Sequence, residues 1–358
     1  MTMDQDSAAA DDGANSEKPS ETVSQFVARV LNQLSLAAWL PSGALVLALT
    51  FVFELNTVLD GKVRPKDASD AISSTFSSMA RLSLGGGLLL FSAVIVLTIL
   101  TQVFAFDAIL MLRGFWGTLR VVEWAAKRRC MHFSHQYIRL EKRYSRLNEK
   151  AWNAARSEIE KQQTQAIDRQ ADDARVREWT PGMLSYLGAV LTDRITEVKL
   201  SPGERGGALK IPWHKYAPPD LLRRQINLDR RRQDFPALSR IMPTRLGNIL
   251  RAYEDRLDSE SIPTFVLDIY DHLPPHLRAQ HHEWRNRLDL YCSMVFVIAL
   301  ITVVAATLLG PQHWQYSICS ALAGVLAMWL AYQAAIATAR TYGRLLISMK
   351  KYRLSGKG

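Results

Sequence analysis

The residues best placed to do chemistry are ionisable groups inside or beside long apolar runs. Burying a charge in lipid costs several kcal/mol, so such groups are functional candidates by default. Glu54 stands about five residues inside the far end of the first run. It could serve as a proton or cation site facing Gly85-Gly86-Gly87 in the second run, or it could reach back to the headgroups or be protonated in place. Asp107, Asp289 and Arg340 fall at the other boundary of their runs, where Arg113 or Arg340 can pair with the two carboxylates.

A second constellation lies in the polar middle of the chain. Arg245, Asn248, Arg251, Glu254 and Asp255 share a helical face whose charges can lace into ion pairs or orient a protein contact. A basic trio, Lys127, Arg128 and Arg129, follows the second apolar run and suits anionic lipid headgroups, each charge contributing ~1 kcal/mol near the surface. His132 and His135 share a helix face, and His276, His281 and His282 cluster before the third run. A metal centre needs three or four converging ligands, and no carboxylate completes either group, so surface histidines are expected. Cys130, Cys292 and Cys319 are too scattered for a disulfide framework. There is no nucleophile elbow, zinc-protease helix, dinucleotide fingerprint or kinase signature, and the glycines of 201–207 lack the Gly-Lys-Ser/Thr of a phosphate loop. No catalytic residue, cofactor or metal is expected.

The elements that must position these groups follow from hydropathy. Leu40–Leu59, Leu82–Phe106, Leu288–Leu309 and Tyr316–Ala339 each hold about the 20 apolar residues that span a bilayer. The reading is an all-α membrane protein with four transmembrane helices in a 2+2 arrangement around a cytosolic helical insert. Its divisions are an acidic, disordered tail (1–33), spans one and two (34–116), the insert (117–287), spans three and four (288–339) and a basic tail (340–358).

Lys and Arg concentrate on the insert and the last residues, while the 310–315 connection has none. The positive-inside bias therefore predicts a cytoplasmic insert and cytoplasmic termini, although Lys62, Arg64, Lys66 and Arg81 crowd the first outer connection. The net charge of +10 is accounted for by this orientation, which removes the argument for nucleic acid.

Within the insert, 107–124 reads as a continuous helix leaving the membrane along its surface. Phe133 to Trp179 reads as one long helix or a hairpin, with Tyr137, Leu140, Tyr144, Leu147 and Ala151 near coiled-coil spacing and a polar stretch at 161–173. Pro181 opens another helix over 183–198, and 201–207 is a turn-rich break. Thr244 is a plausible N-cap, after which Leu246, Ile249, Leu250, Tyr253 and Leu257 share one apolar arc. Gly247 costs ~1 kcal/mol against alanine in a helix, so it should have a packing reason. Ala323, Ala327, Ala331, Ala335 and Ala339 form a small-residue ridge for helix packing.

Pro243-Thr244-Arg245-Leu246-Gly247-Asn248, followed by Leu250-Arg251-Ala252 and an acidic pair, resembles the signature of a family of uncharacterised bacterial multi-pass integral membrane proteins. Tyr342-Gly343-Arg344-Leu345-Leu346 is similar to that family's segment after its final span, and the resemblance covers about 241–354. The chain departs from it at Ser261-Ile262-Pro263-Thr264 and Asp271-His272, where a Tyr-Gly pair and a tryptophan-proline-arginine run are expected. The resemblance implies architecture and no activity. The leading expectation is a non-enzymatic membrane scaffold that docks a protein or its own copies through the insert, with the bilayer as its other partner. The rival is an oligomeric pore using Glu54.

Overall fold

A computed structural model describes residues 36–60, 68–80, 84–169, 178–192, 200–258, 261–310 and 313–355. The acidic tail, the basic residues at 62–66 and 81, and residues 170–173 of the polar stretch lie outside the described residues. Of those described, 88% are helical and none is in a strand, as the all-α reading requires.

The apolar runs become α1 (Leu36–Asp60), α3 (Leu84–Arg113), α10 (Pro275–Leu309) and α11 (Trp314–Ser355). A short helix, α2 (Ala68–Ala80), folds back on α1. Three helices, α1, α10 and α11, are each long and apolar enough to cross a membrane. The fourth run meets that test only if the two arms of α3, bent by 49° between Thr101 and Phe106, form one span. Thr98 and Thr101 donate back to the Val94 and Thr98 carbonyls just before the bend, at 2.7 and 3.1 Å, a pattern that bends helices. Leu88, Leu89, Val96, Val103 and Phe106 point outward, a surface that water would penalise and lipid would not. The chain is thus an all-helical membrane protein.

Helices α10 and α11 form an antiparallel hairpin, and α10 also carries α1 and α3. They contain 35 and 42 residues. At ~1.5 Å per residue both run well past a hydrocarbon core of ~30 Å. The overhang is where the soluble part attaches. Ala335, Ala339, Tyr342, Leu346 and Met349 of α11 are buried in one core with α8 (Arg245–Leu257) and α9 (Ile262–Ile269). Residues 340–355 continue α11 as helix, and Tyr342, Leu346 and Met349 carry its first turns into that core. The alanine ridge is used in its last part, since Ala335 and Ala339 are fully buried whereas Ala323 is exposed.

Between α3 and α4 (Arg120–Arg169) the helix breaks, contrary to the continuous helix expected over 107–124. Gly114 and Gly117 take positive φ of 101° and 82°, which only glycine adopts at low cost. Neither sits in a Gly-Pro pair, so the break left no strong sequence cue. Helix α4 then runs unbroken for 50 residues.

Helix α7 (Pro219–Arg232) packs along α4, and a small head closes on its far end. There α5 (Pro181–Leu191), capped by Thr180, and α6 (Pro202–Leu209) join Trp152 and Ile159 around Leu184, Leu187 and Ile211. Helix α6 replaces the expected turn at 201–207. Ser201 accepts from the Glu204 amide while the Glu204 carboxylate accepts from the Ser201 amide at 2.9 Å, a reciprocal cap that starts a helix despite its glycines. Asn148 seats α4 on its neighbours, accepting from Gln225 at 2.9 Å and donating to the Leu191 carbonyl.

Candidate functional site

The motif helix α8 begins against the end of α3, and each residue of Pro243–Asn248 has its own contacts. Pro243 packs on Gly114, where a side chain would collide with the proline ring. Thr244 caps the helix by accepting from the Gly247 amide at 3.0 Å. Leu246 is fully buried, and its amide donates to the Tyr332 hydroxyl of α11 at 3.3 Å. Gly247 has the packing reason its helical cost demanded, because a Cβ there would overlap the Arg113 carbonyl. Asn248 is buried and clamps the Met242 backbone, accepting from its amide at 2.7 Å and donating to its carbonyl at 3.0 Å. Only Arg245 is half-exposed, 3.8 Å from Asp234.

The predicted polar face of α8 turns inward. Glu254 is completely buried and accepts from three guanidinium groups: Arg113 of α3 at 3.2 Å, Arg240 at 3.0 Å and Arg251 at 2.9 Å. Arg113 and Arg251 also approach the ring of Phe115, with centroid distances of 6.0 and 5.6 Å. Arg240 also pairs with Asp255, which accepts from the Ala237 amide at 2.8 Å. A buried carboxylate is tolerated only when so paired, and removing it strands its partners. Asn248 and Glu254 are therefore buried in this conformation, and the charges of this face are laced into ion pairs. Sequence reasoning missed Arg240 and Arg113 as partners of Glu254, because Arg113 lies 141 residues earlier.

Two of the boundary charges, Arg340 and Asp289, pair elsewhere than expected. Arg340 makes a two-pronged bond to Asp234, at 3.1 Å from Nε and 2.5 Å from Nη2. Asp289 stands 4.0 Å from Arg285, one turn away on α10. Asp107 is exposed beside an apolar cavity of about 420 Å³ lined by Leu45, Phe104, Phe296 and Val297. Glu54 accepts from Ser78 of α2 at 2.9 Å, so a neighbouring helix holds its carboxylate.

Lys127, Arg128 and Arg129 are exposed at the root of α4. Arg128 lies over Trp124 and Arg129 over Phe133, at 5.5 and 5.4 Å. With the exposed Val121 and Trp124 they make an amphipathic surface suited to a headgroup layer. His281 departs from the surface reading: it is buried, and its Nδ1 meets the Tyr342 hydroxyl at 3.2 Å. Burial raises the pKa of the Cys130 thiol, which donates to the Ile241 carbonyl at 3.5 Å. Among the described residues no three His, Cys, Asp or Glu converge as a metal site would require.

The fold and site define an all-helical membrane protein whose soluble part is clasped to its spans by a buried ion cluster. Comparisons with models of known protein families, with curated proteins and with solved structures give no match.

Proposed function

We propose that this protein is a membrane-anchored, non-enzymatic interaction protein of the bacterial inner membrane that presents a helical head on the cytosolic side. The observation carrying this reading is α4, a 50-residue helix rooted at the bilayer and ending in a separate small core. At ~1.5 Å per residue it reaches ~75 Å, far more than is needed to join two spans. Helix α7 packs along α4 and supports the arm between its root and the head. Val190 and Leu209 are apolar and exposed on the head, the kind of surface that a protein partner or a second copy would cover. The Pro243–Asn248 resemblance supports kinship with multi-pass bacterial membrane proteins and assigns no reaction.

The test is photo-crosslinking from positions 190 and 209 in the native membrane, followed by mass spectrometry and mass photometry of the detergent extract. A stoichiometric protein or second copy crosslinked at both positions, and lost in Val190→Glu/Leu209→Glu, is expected. An extract that is monomeric, with no crosslink from either position, would sink the proposal.

A further inference from the structure

Two cavities meet at the base of the arm, and their walls carry far more cation than anion. The first, about 750 Å³, lies between α4, the segment joining α7 to α8, and α11; Arg129, His132, Arg139, Arg143, Arg231 and Arg245 line it. The second, about 600 Å³, shares Arg231 and Arg245 with it and adds Arg230, Arg256, Arg340 and Arg344. Both volumes fall in the range of small-ligand sites, ~300–1,000 Å³. Among the described residues Asp234 is the only carboxylate on either lining. Arg340 already engages both of its oxygens, and Arg245 stands beside them.

Arg139, Arg143, Arg230, Arg231 and Arg344 make no ion pair or side-chain hydrogen bond among the described residues. So many guanidinium groups facing one space repel one another unless an anion joins them. Their planar forks match phosphate oxygens two at a time. Phe133, Phe235 and Tyr332 supply apolar wall in the first cavity. Arg245 links both cavities, and it is the one residue of Pro243–Asn248 that neither caps, packs nor clamps the clasp to α3.

We propose that this double cleft binds a small ligand carrying two or more phosphate charges. Two sources offer that chemistry: the headgroup of an anionic phospholipid, reached from the adjoining bilayer, or a soluble phosphate compound. The site is independent of the head, so its failure would leave the interaction reading standing.

The experiment uses the full chain in nanodiscs. One arm titrates inorganic triphosphate into phosphatidylcholine discs by calorimetry. The other measures by native mass spectrometry whether cardiolipin, with two phosphates, is retained over phosphatidylglycerol, with one, from mixed-lipid discs. Arg139→Gln/Arg143→Gln removes two exposed, unpaired cations with little risk to folding, and Arg231→Gln tests the wall shared by both cavities. Arg205→Gln/Lys210→Gln, on the head, is the control. Binding of triphosphate alone assigns a soluble ligand, and selective retention of cardiolipin assigns the headgroup. In either case both cleft variants should weaken binding about tenfold or more while the control does not. Wild-type protein that binds neither probe, or cleft variants that bind as wild type does, would overturn the proposal.

Discussion

Glu254 concentrates most of the risk in this molecule. Its carboxylate is fully buried among Arg113, Arg240 and Arg251. Glu254→Ala would leave three guanidinium groups facing one another, and breaking a buried ion pair typically costs ~3–5 kcal/mol. The expected outcome is a large fall in the thermal midpoint of the detergent-solubilised protein; an unchanged midpoint would refute the hub. Gly247→Ala should act as severely by a different route, since its Cβ would overlap the Arg113 carbonyl and push α8 off α3. Cys130 gives a pH readout. Because burial raises its pKa, the thiolate fraction at neutral pH is smaller in the folded protein than in the unfolded chain. Maleimide should therefore label Cys130 slowly near neutrality and faster as pH rises, with denaturant removing the difference.

At the scale of elements, Thr244→Ala removes one accepted hydrogen bond from the start of α8 and should cost about 1 kcal/mol, as caps usually do. Chemical denaturation in detergent checks this, and a loss comparable to that of Glu254→Ala would mean that Thr244 holds more than a cap. The inward arc of this helix, Leu246 through Leu257, was legible because a 3.6-residue period sorts apolar from polar within one segment. The fate of its polar face was not legible. Periodicity places Glu254 away from the apolar arc but says nothing of Arg113, which approaches from another helix and covers it. Short-range conflict hid two further elements. Helix α6 forms through a side-chain cap that outweighs its glycines, and the α3–α4 break rests on Gly114 and Gly117, set among residues that favour helix. The arginine cleft was invisible for the same reason as the hub, since its cations come from α4, α7, α8 and α11.

At the scale of the whole molecule, the α10–α11 hairpin brings the insert and the far end of α11 to one side of the bundle. Single cysteines introduced as Arg205→Cys and Arg353→Cys in a cysteine-free background should therefore react with an impermeant maleimide from the same face of sealed vesicles. Labelling from opposite faces would contradict the arrangement. The buried cluster also bears on the order in which the chain is made. Arg113 is synthesised 141 residues ahead of Glu254, so α3 is complete while that cation has no carboxylate to meet. The pairing waits until the arm and its head have been made, and a nascent chain stalled in that interval holds an open clasp.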